Sequence, residues 1–107
     1  MTTEATGPLS PYLDVARLFG ALANPARCAI VERLTVEPRF VGELSQELGL
    51  SQPLVSQHLK VLREAHLVEG FRDGRVTRYR LIDEHVAHVF LDAHQHTKEH
   101  HNERCNH

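Results

Sequence analysis

The chain has no tryptophan, and its four phenylalanines and two tyrosines bring the aromatic fraction to only 6%. A core built from it is mainly aliphatic, and a protomer of 107 residues gains from a partner that covers more apolar surface. Cysteine is scarce too. Cys28 and Cys105 are too few for a disulfide framework, and Cys28 sits in an apolar stretch like a small core residue, which fits a reducing compartment. No run approaches the ~20 apolar residues of a membrane span. Residues 1–10 lack the basic and apolar blocks of a secretory signal, so a cytoplasmic protein without a membrane partner is expected. Excess charge is also missing: 12 basic against 14 acidic groups leave a net charge of -2. Histidine, in contrast, is abundant. There are 9, and 7 of them (His85, His88, His94, His96, His100, His101 and His107) fall in the last 23 residues.

The small net charge conceals an uneven distribution. Residues 1–50 carry 4 basic and 6 acidic groups, residues 51–80 carry 6 and 3, and residues 81–107 carry 2 and 5. Only the middle is basic, by +3. Phosphate attraction depends on the charges that reach the nucleic-acid backbone, because distant ones are screened over ~8–10 Å. A basic face between acidic ends is therefore compatible with DNA as a partner.

With 41% hydrophobic and 24% charged residues the chain folds, and its length suits a single domain. The expected organisation is a flexible arm over 1–10, a domain over 11–100 and a polar tail over 101–107. Leu13, Ala16, Leu18 and Leu22 recur near helical spacing in a first helix that Asn24-Pro25 ends. Asn24 as N-cap and Pro25 at the first helical position open a second helix, which carries Cys28, Ile30, Val31 and Leu34 until Pro38. Residues 40–48 predict a short amphipathic helix stopped by Gly49. Ser51 then caps a helix with apolar positions at Leu54, Val55, Leu59 and Leu62. Two helices meeting at a turn of about three residues is the spacing of a helix-turn-helix, whose second helix enters the major groove. Residues 67–72 and 76–81 alternate and are joined by Asp73-Gly74-Arg75, which predicts a hairpin wing. A last helix is expected from about Asp83 to about Glu99. The fold class is thus mainly α with a small β-hairpin, a winged helix-turn-helix.

On the second helix of this unit, Gln52, Ser56, Gln57 and His58 offer side chains that hydrogen-bond base edges or phosphates. Lys60, Arg63, Arg72, Arg75 and Arg78 flank them as candidate phosphate contacts. Taken singly, these residues read as a solvated helix face. A short helix, a glycine turn, a Ser-capped helix and a charged hairpin in that order favour DNA binding instead.

Three segments carry a family resemblance: Leu22-Ala23-Asn24-Pro25-Ala26-Arg27, the run from Ser51 to Leu62, and Gly70 to Tyr79. In them the chain resembles the ArsR/SmtB metal-responsive winged-helix repressors over roughly residues 12–100. The resemblance implies a homodimer built on the first and last helices, which represses a metal-efflux or metal-storage operon until metal binds.

The histidine-rich helix is compatible with that reading on its own chemistry. A lone histidine on a helix is usually a surface residue, and Asp83 by itself reads as an N-cap. His96 and Glu99 are spaced i,i+3 and share a face. His85 precedes His96 by 11 residues, nearly the same helical angle but ~16 Å away along the axis. One chain cannot close a compact site with both, whereas two antiparallel copies across a two-fold axis can. Asp83 and His85 of one protomer with His96 and Glu99 of its partner form an N2O2 set suited to tetrahedral Zn(II), with two sites per dimer. The family's C-terminal-helix sensors, by resemblance, carry an Asp-x-His pair and a His-x-x-Glu or His-x-x-His pair, which these four residues match. The family's other site, a Cys-x-Cys pair at the start of the helix-turn-helix, has no counterpart between Val41 and Leu44. His100, i,i+4 from His96, is a further candidate ligand, and a higher coordination number favours Ni(II) or Co(II). His88 and His94 border an apolar stripe of Val86, Val89, Phe90 and Ala93. His101, Cys105 and His107 are weaker metal candidates. A zinc hydrolase is disfavoured, since there is no His-Glu-x-x-His motif and four protein ligands leave no open position. A metal-buffering protein explains the tail but not residues 40–80. A winged-helix repressor with a non-metal inducer remains the nearer alternative.

Overall fold

A computed structural model describes residues 7–105, with side chains through residue 101. The six residues that begin the expected arm, and the side chains of Cys105 and His107, lie outside the described ones. The order of elements is α1 (Leu13–Leu22), α2 (Pro25–Val36), β1 (Arg39–Phe40), α3 (Val41–Leu48), α4 (Gln52–Glu64), β2 (Val68–Asp73), β3 (Val76–Leu81) and α5 (Glu84–Cys105). Before α1, a hydrogen-bonded turn at Gly7 leads into a short 3-10 turn over Ser10–Tyr12.

Local chemistry accounts for most boundaries. The Asn24 side-chain oxygen accepts hydrogen bonds from the backbone N–H groups of Ala26 and Arg27, at 2.9 and 3.1 Å, while Pro25 occupies the position where no N–H is missed. Ser51 Oγ accepts from the Leu54 N–H, and Asp83 Oδ1 accepts from the Val86 N–H at the start of α5. Gly49 takes the left-handed conformation (φ 68°) that stops α3. At the end of α4, His66 adopts φ 60°, its N–H bonding the Arg63 carbonyl while that of Leu67 bonds Leu62. These two bonds form a Schellman stop built on a residue other than glycine.

Two expectations need correction. Phe40 is not helical: with Arg39 it forms β1, which pairs antiparallel with Arg78 and Tyr79 of β3. The wing is accordingly a three-stranded sheet of order β1-β3-β2, because the extended backbone before α3 finds a partner edge on β3. The last helix runs past Glu99 to Cys105, since no glycine or proline interrupts that stretch.

The core is aliphatic as the composition requires. Ile30, Val31 and Leu34 of α2, Leu44 of α3, and Val55, Leu59 and Leu62 of α4 are buried together with Leu67, Val68, Val86 and Phe90. Other apolar side chains lack such cover: Tyr12 just before α1, Val15 and Phe19 on α1, and Val89 and Leu91 on α5 are exposed. Among the described residues, no helix is long and apolar enough to cross a membrane.

Candidate functional site

The candidate nucleic-acid-reading unit is α3, the turn through Gly49 and Ser51, and α4. Val55, Leu59 and Leu62 seat α4 on the core, which leaves Gln52, Ser56, Gln57, Lys60 and Arg63 exposed. At 100° per residue, Gln52, Ser56, Lys60 and Arg63 fall within one arc of α4, and Gln57 borders it. His58 stands roughly opposite the middle of that arc, half-buried, with Nδ1 3.3 Å from Nη1 of Arg27 on α2. Burial, and then the charge of Arg27, lower its pKa from the ordinary histidine value. An arginine only donates, so the Nδ1 of His58 is the acceptor and its proton resides on Nε2. His58 therefore does not join the exposed polar row with which its sequence position groups it.

The wing sorts its arginines in a similar way. Arg75 is exposed in the two-residue loop that joins β2 to β3, beside Gly74 with φ 67°. Arg72 is exposed nearby and reaches the Gly74 carbonyl at 3.4 Å. Arg78 points back into the fold. Its Nε donates to Asp73 Oδ2 at 2.6 Å, its Nη1 donates to Glu43 Oε1 on α3 at 2.9 Å, and its guanidinium lies 5.2 Å from the centre of the Phe40 ring. The Asp73 hydrogen bond is the foremost cause of a raised pKa, with Glu43 adding to it against partial burial. Glu43 also accepts from the Phe40 N–H at 3.0 Å, so one carboxylate ties β1, α3 and β3 together. Arg80, across the sheet from Glu69, pairs with it at 2.9 Å and covers the Phe71 ring.

Along α5, Asp83 and His85 are neighbours at the helix start, with Asp83 Oδ1 3.7 Å from His85 Nδ1. His96 and Glu99 lie three turns further on, both exposed. Gln95 donates to Glu99 at 3.5 Å, and the rings of His96 and His100 are 4.3 Å apart. Within one chain, no group of three or more His, Cys, Asp or Glu side chains is placed to hold a metal ion among the described residues. His94 lies at the polar border of the apolar stripe, 5.4 Å from the Phe90 ring and with Nε2 3.5 Å from Glu32 of α2. Cys28 is a free thiol that donates to the Leu22 carbonyl at 3.0 Å.

Sequence reasoning missed Arg27, Glu43 and Glu32 as partners of residues it had singled out. Arg27 and His58 are 31 residues apart, and Glu43 and Arg78 are 35 apart. No local spacing rule signals pairs so distant along the chain.

Residues 24–69 match the family model described as bacterial regulatory protein, arsR family. The HTH-type transcriptional repressor SmtB of Mycobacterium tuberculosis is 50% identical over 93 residues, spanning 86% of this chain and 69% of that one. The HTH-type transcriptional regulator NmtR of the same organism is 40% identical over 85 residues, 79% of this chain and 71% of that one. The crystal structure of M. tuberculosis Rv0081 superposes with a TM-score of 0.80 at 35% identity, covering 94% of this chain and 99% of that one. The homodimeric winged helix-turn-helix DNA-binding domain of Mb0332 from Mycobacterium bovis gives 0.82 at 30% identity, covering 94% and 93%.

Proposed function

The chain belongs to the ArsR family of bacterial regulatory proteins, and on that footing we propose that it is a cytoplasmic, homodimeric, metal-responsive transcriptional repressor rather than an enzyme. The observation that carries this reading is the exposed row of Gln52, Ser56, Lys60 and Arg63 on a helix whose adjoining face, Val55, Leu59 and Leu62, is locked into the core. Its double-stranded operator is an imperfect inverted repeat, read by one α4 per half-site in successive major grooves ~34–36 Å apart. Gln52, Ser56 and Gln57 meet base edges, while Lys60, Arg63, Arg72 and Arg75 meet phosphates. Arg78 joins the phosphate contacts by leaving Asp73 or Glu43. The apolar faces of α1 and α5 suit a second copy of the chain, with Tyr12, Val15, Phe19 and Val89 at the seam.

The effector site we assign to Asp83 and His85 of one protomer with His96 and Glu99 of its partner. Two ligands of one ion at ~2.0–2.2 Å stand within about 4.4 Å of each other. Asp83 Oδ1, which also accepts the Val86 N–H, lies 3.7 Å from His85 Nδ1, so this pair meets that condition. Zn(II) bound there supplies a bridge between the two α5 helices. The response then passes through the chain's own contacts, because α5 packs on α2, with Phe90 in the shared core and His94 paired with Glu32, and α2 packs on α4. A change in how the two α5 helices cross re-aims both reading heads and releases the operator. Linkage makes the coupling reciprocal, typically ~1–3 kcal/mol. The contact of His100 with His96 favours a second reading, in which His100 adds a ligand and the effector is Ni(II) or Co(II).

The test is a titration of the DNA upstream of the protein's own gene at fixed salt, with and without stoichiometric Zn(II), Ni(II) or Co(II). The expected result is tight binding by metal-free dimer, weakened by one of these ions and not by any of them in His96→Ala. Unchanged affinity with all three ions refutes the sensing claim, and loss of metal-free binding in His96→Ala marks a structural site instead.

A further inference from the structure

The segment from Leu22 to Arg27 lies outside both the reading face and the effector site, yet its contacts join three helices. Helix α1 ends at Leu22, where the last carbonyls of any helix lack intrahelical donors. Residues of the next helix and its cap supply them. Arg27 Nε donates to the Ala21 carbonyl at 2.6 Å, while the Asn24 N–H and the Cys28 thiol donate to that of Leu22 at 2.8 and 3.0 Å. The backbone of Arg27 is itself held by the Asn24 side chain. Its guanidinium then reaches His58 of α4 through Nη1, at 3.3 Å.

A guanidinium is a rigid planar fork whose donors point in fixed directions. Two acceptors on different nitrogens of one fork are fixed relative to each other, here the end of α1 and the middle of α4. His58 answers as an acceptor only when neutral, a state that its burial beside Arg27 favours. Its position, roughly opposite the exposed row of α4, means that a pull on His58 rotates Ser56 and Lys60 about the helix axis.

We propose that Arg27 is a positioning residue for sequence recognition: acting through Nδ1 of His58, it sets the rotation of α4 so that Gln52, Ser56 and Gln57 meet their base edges, without contacting DNA itself. The proposal rests on the DNA-binding reading above. It separates sequence discrimination from affinity, since the phosphate-contacting cations lie elsewhere.

The test begins with a duplex enriched from a random pool by the wild-type protein, and measures affinity for it and for a scrambled duplex at several salt concentrations. Arg27→Lys keeps the charge, but its single nitrogen does not span both acceptors. Discrimination is expected to fall about tenfold, the cost of one mismatched base pair, with unchanged salt dependence on scrambled DNA. His58→Ala, which leaves the Arg27–Ala21 bond in place, is expected to lose as much. His58→Asn, whose amide oxygen stands near the Nδ1 position, is expected to keep most of it. In 15N spectra, wild-type His58 is expected as the Nε2–H tautomer, and Arg27→Lys to mix the tautomers and raise the titration midpoint. Wild-type discrimination in Arg27→Lys and His58→Ala overturns the proposal, as does a salt slope on scrambled DNA reduced by about one in Arg27→Gln, which marks a phosphate contact. If the Arg27 variants fail to fold, His58→Ala and His58→Asn decide. A wild-type protein that enriches no sequence refutes the DNA-binding reading as well; enrichment with unaltered discrimination in the variants refutes this inference alone.

Discussion

Mixing two crippled subunits tests the proposal of a metal site shared between chains. His85 and His96 are 11 residues apart on α5, which at ~1.5 Å per residue separates them by ~16 Å. Ligands of one ion stand about 4 Å apart, so the two histidines meet only across a two-fold axis. His85→Ala and His96→Ala homodimers are each expected to lose both tight sites. When the two variants are unfolded together in equal amounts and refolded, about half of the dimers are mixed. In a mixed dimer, one site takes Asp83 and His85 from the His96→Ala subunit and His96 and Glu99 from the His85→Ala subunit, and is intact. The other site lacks both imidazoles. Tight binding should therefore recover to about a quarter of the wild-type stoichiometry. Equilibrium dialysis against Zn(II), with the His85→Ala/His96→Ala double variant as background for the remaining histidines, reads this directly. No recovery on mixing refutes the shared site, and wild-type stoichiometry in either single variant removes that histidine from the ligand set.

Three further outcomes are open to measurement. His66→Gly should stabilise the protein by about 0.5–1 kcal/mol in urea unfolding, because glycine adopts φ 60° without the side-chain clash; a loss of stability contradicts the strain argument. Arg75→Ala should weaken binding about equally across sequences and reduce the salt slope by ~1, whereas Arg78→Ala should also lower the thermal midpoint by freeing Glu43 and Asp73; equal midpoints refute the clamp. The lowered pKa of His58 means that the unfolded chain takes up its proton first, so that this residue's contribution to stability is complete above the ordinary value of 6.5 and lost as pH falls below it. Urea midpoints of wild type and His58→Asn between pH 7.5 and 5.5 check this, and the wild type should fall more steeply.

What was legible in the sequence was what adjacent residues decide. Asn24-Pro25, Gly49 and Ser51 state the helix ends in their own backbone chemistry, and the Gly74 turn states the hairpin. Each of these is a contact within a few positions. The stop at His66 carries the same geometry as Gly49 but no glycine to announce it: two backbone hydrogen bonds and the burial of Leu67 after it accompany an unfavoured conformation at an exposed residue. Strand β1 is two residues long, and it is strand only because β3, nearly 40 positions later, offers an edge. Exposure was legible where it follows from helical phase, as at Gln52, Ser56 and Lys60. His58 and Arg78 have the right chemistry for DNA, and only the folded chain reveals that Arg27, Glu43 and Asp73 already engage them.

The short pairing of Arg39 and Phe40 with β3 has a mechanical meaning for regulation. It leads directly into α3 without a linker, and Glu43 fastens that junction to Arg78. The wing and the α3–α4 unit are thus joined at this point both by backbone pairing and by a charged side-chain bond. On the proposed reading, an inducer bound between the α5 helices would turn two such units against the fixed pitch of the double helix, so that a small misalignment of one would disengage base and backbone contacts in the same movement.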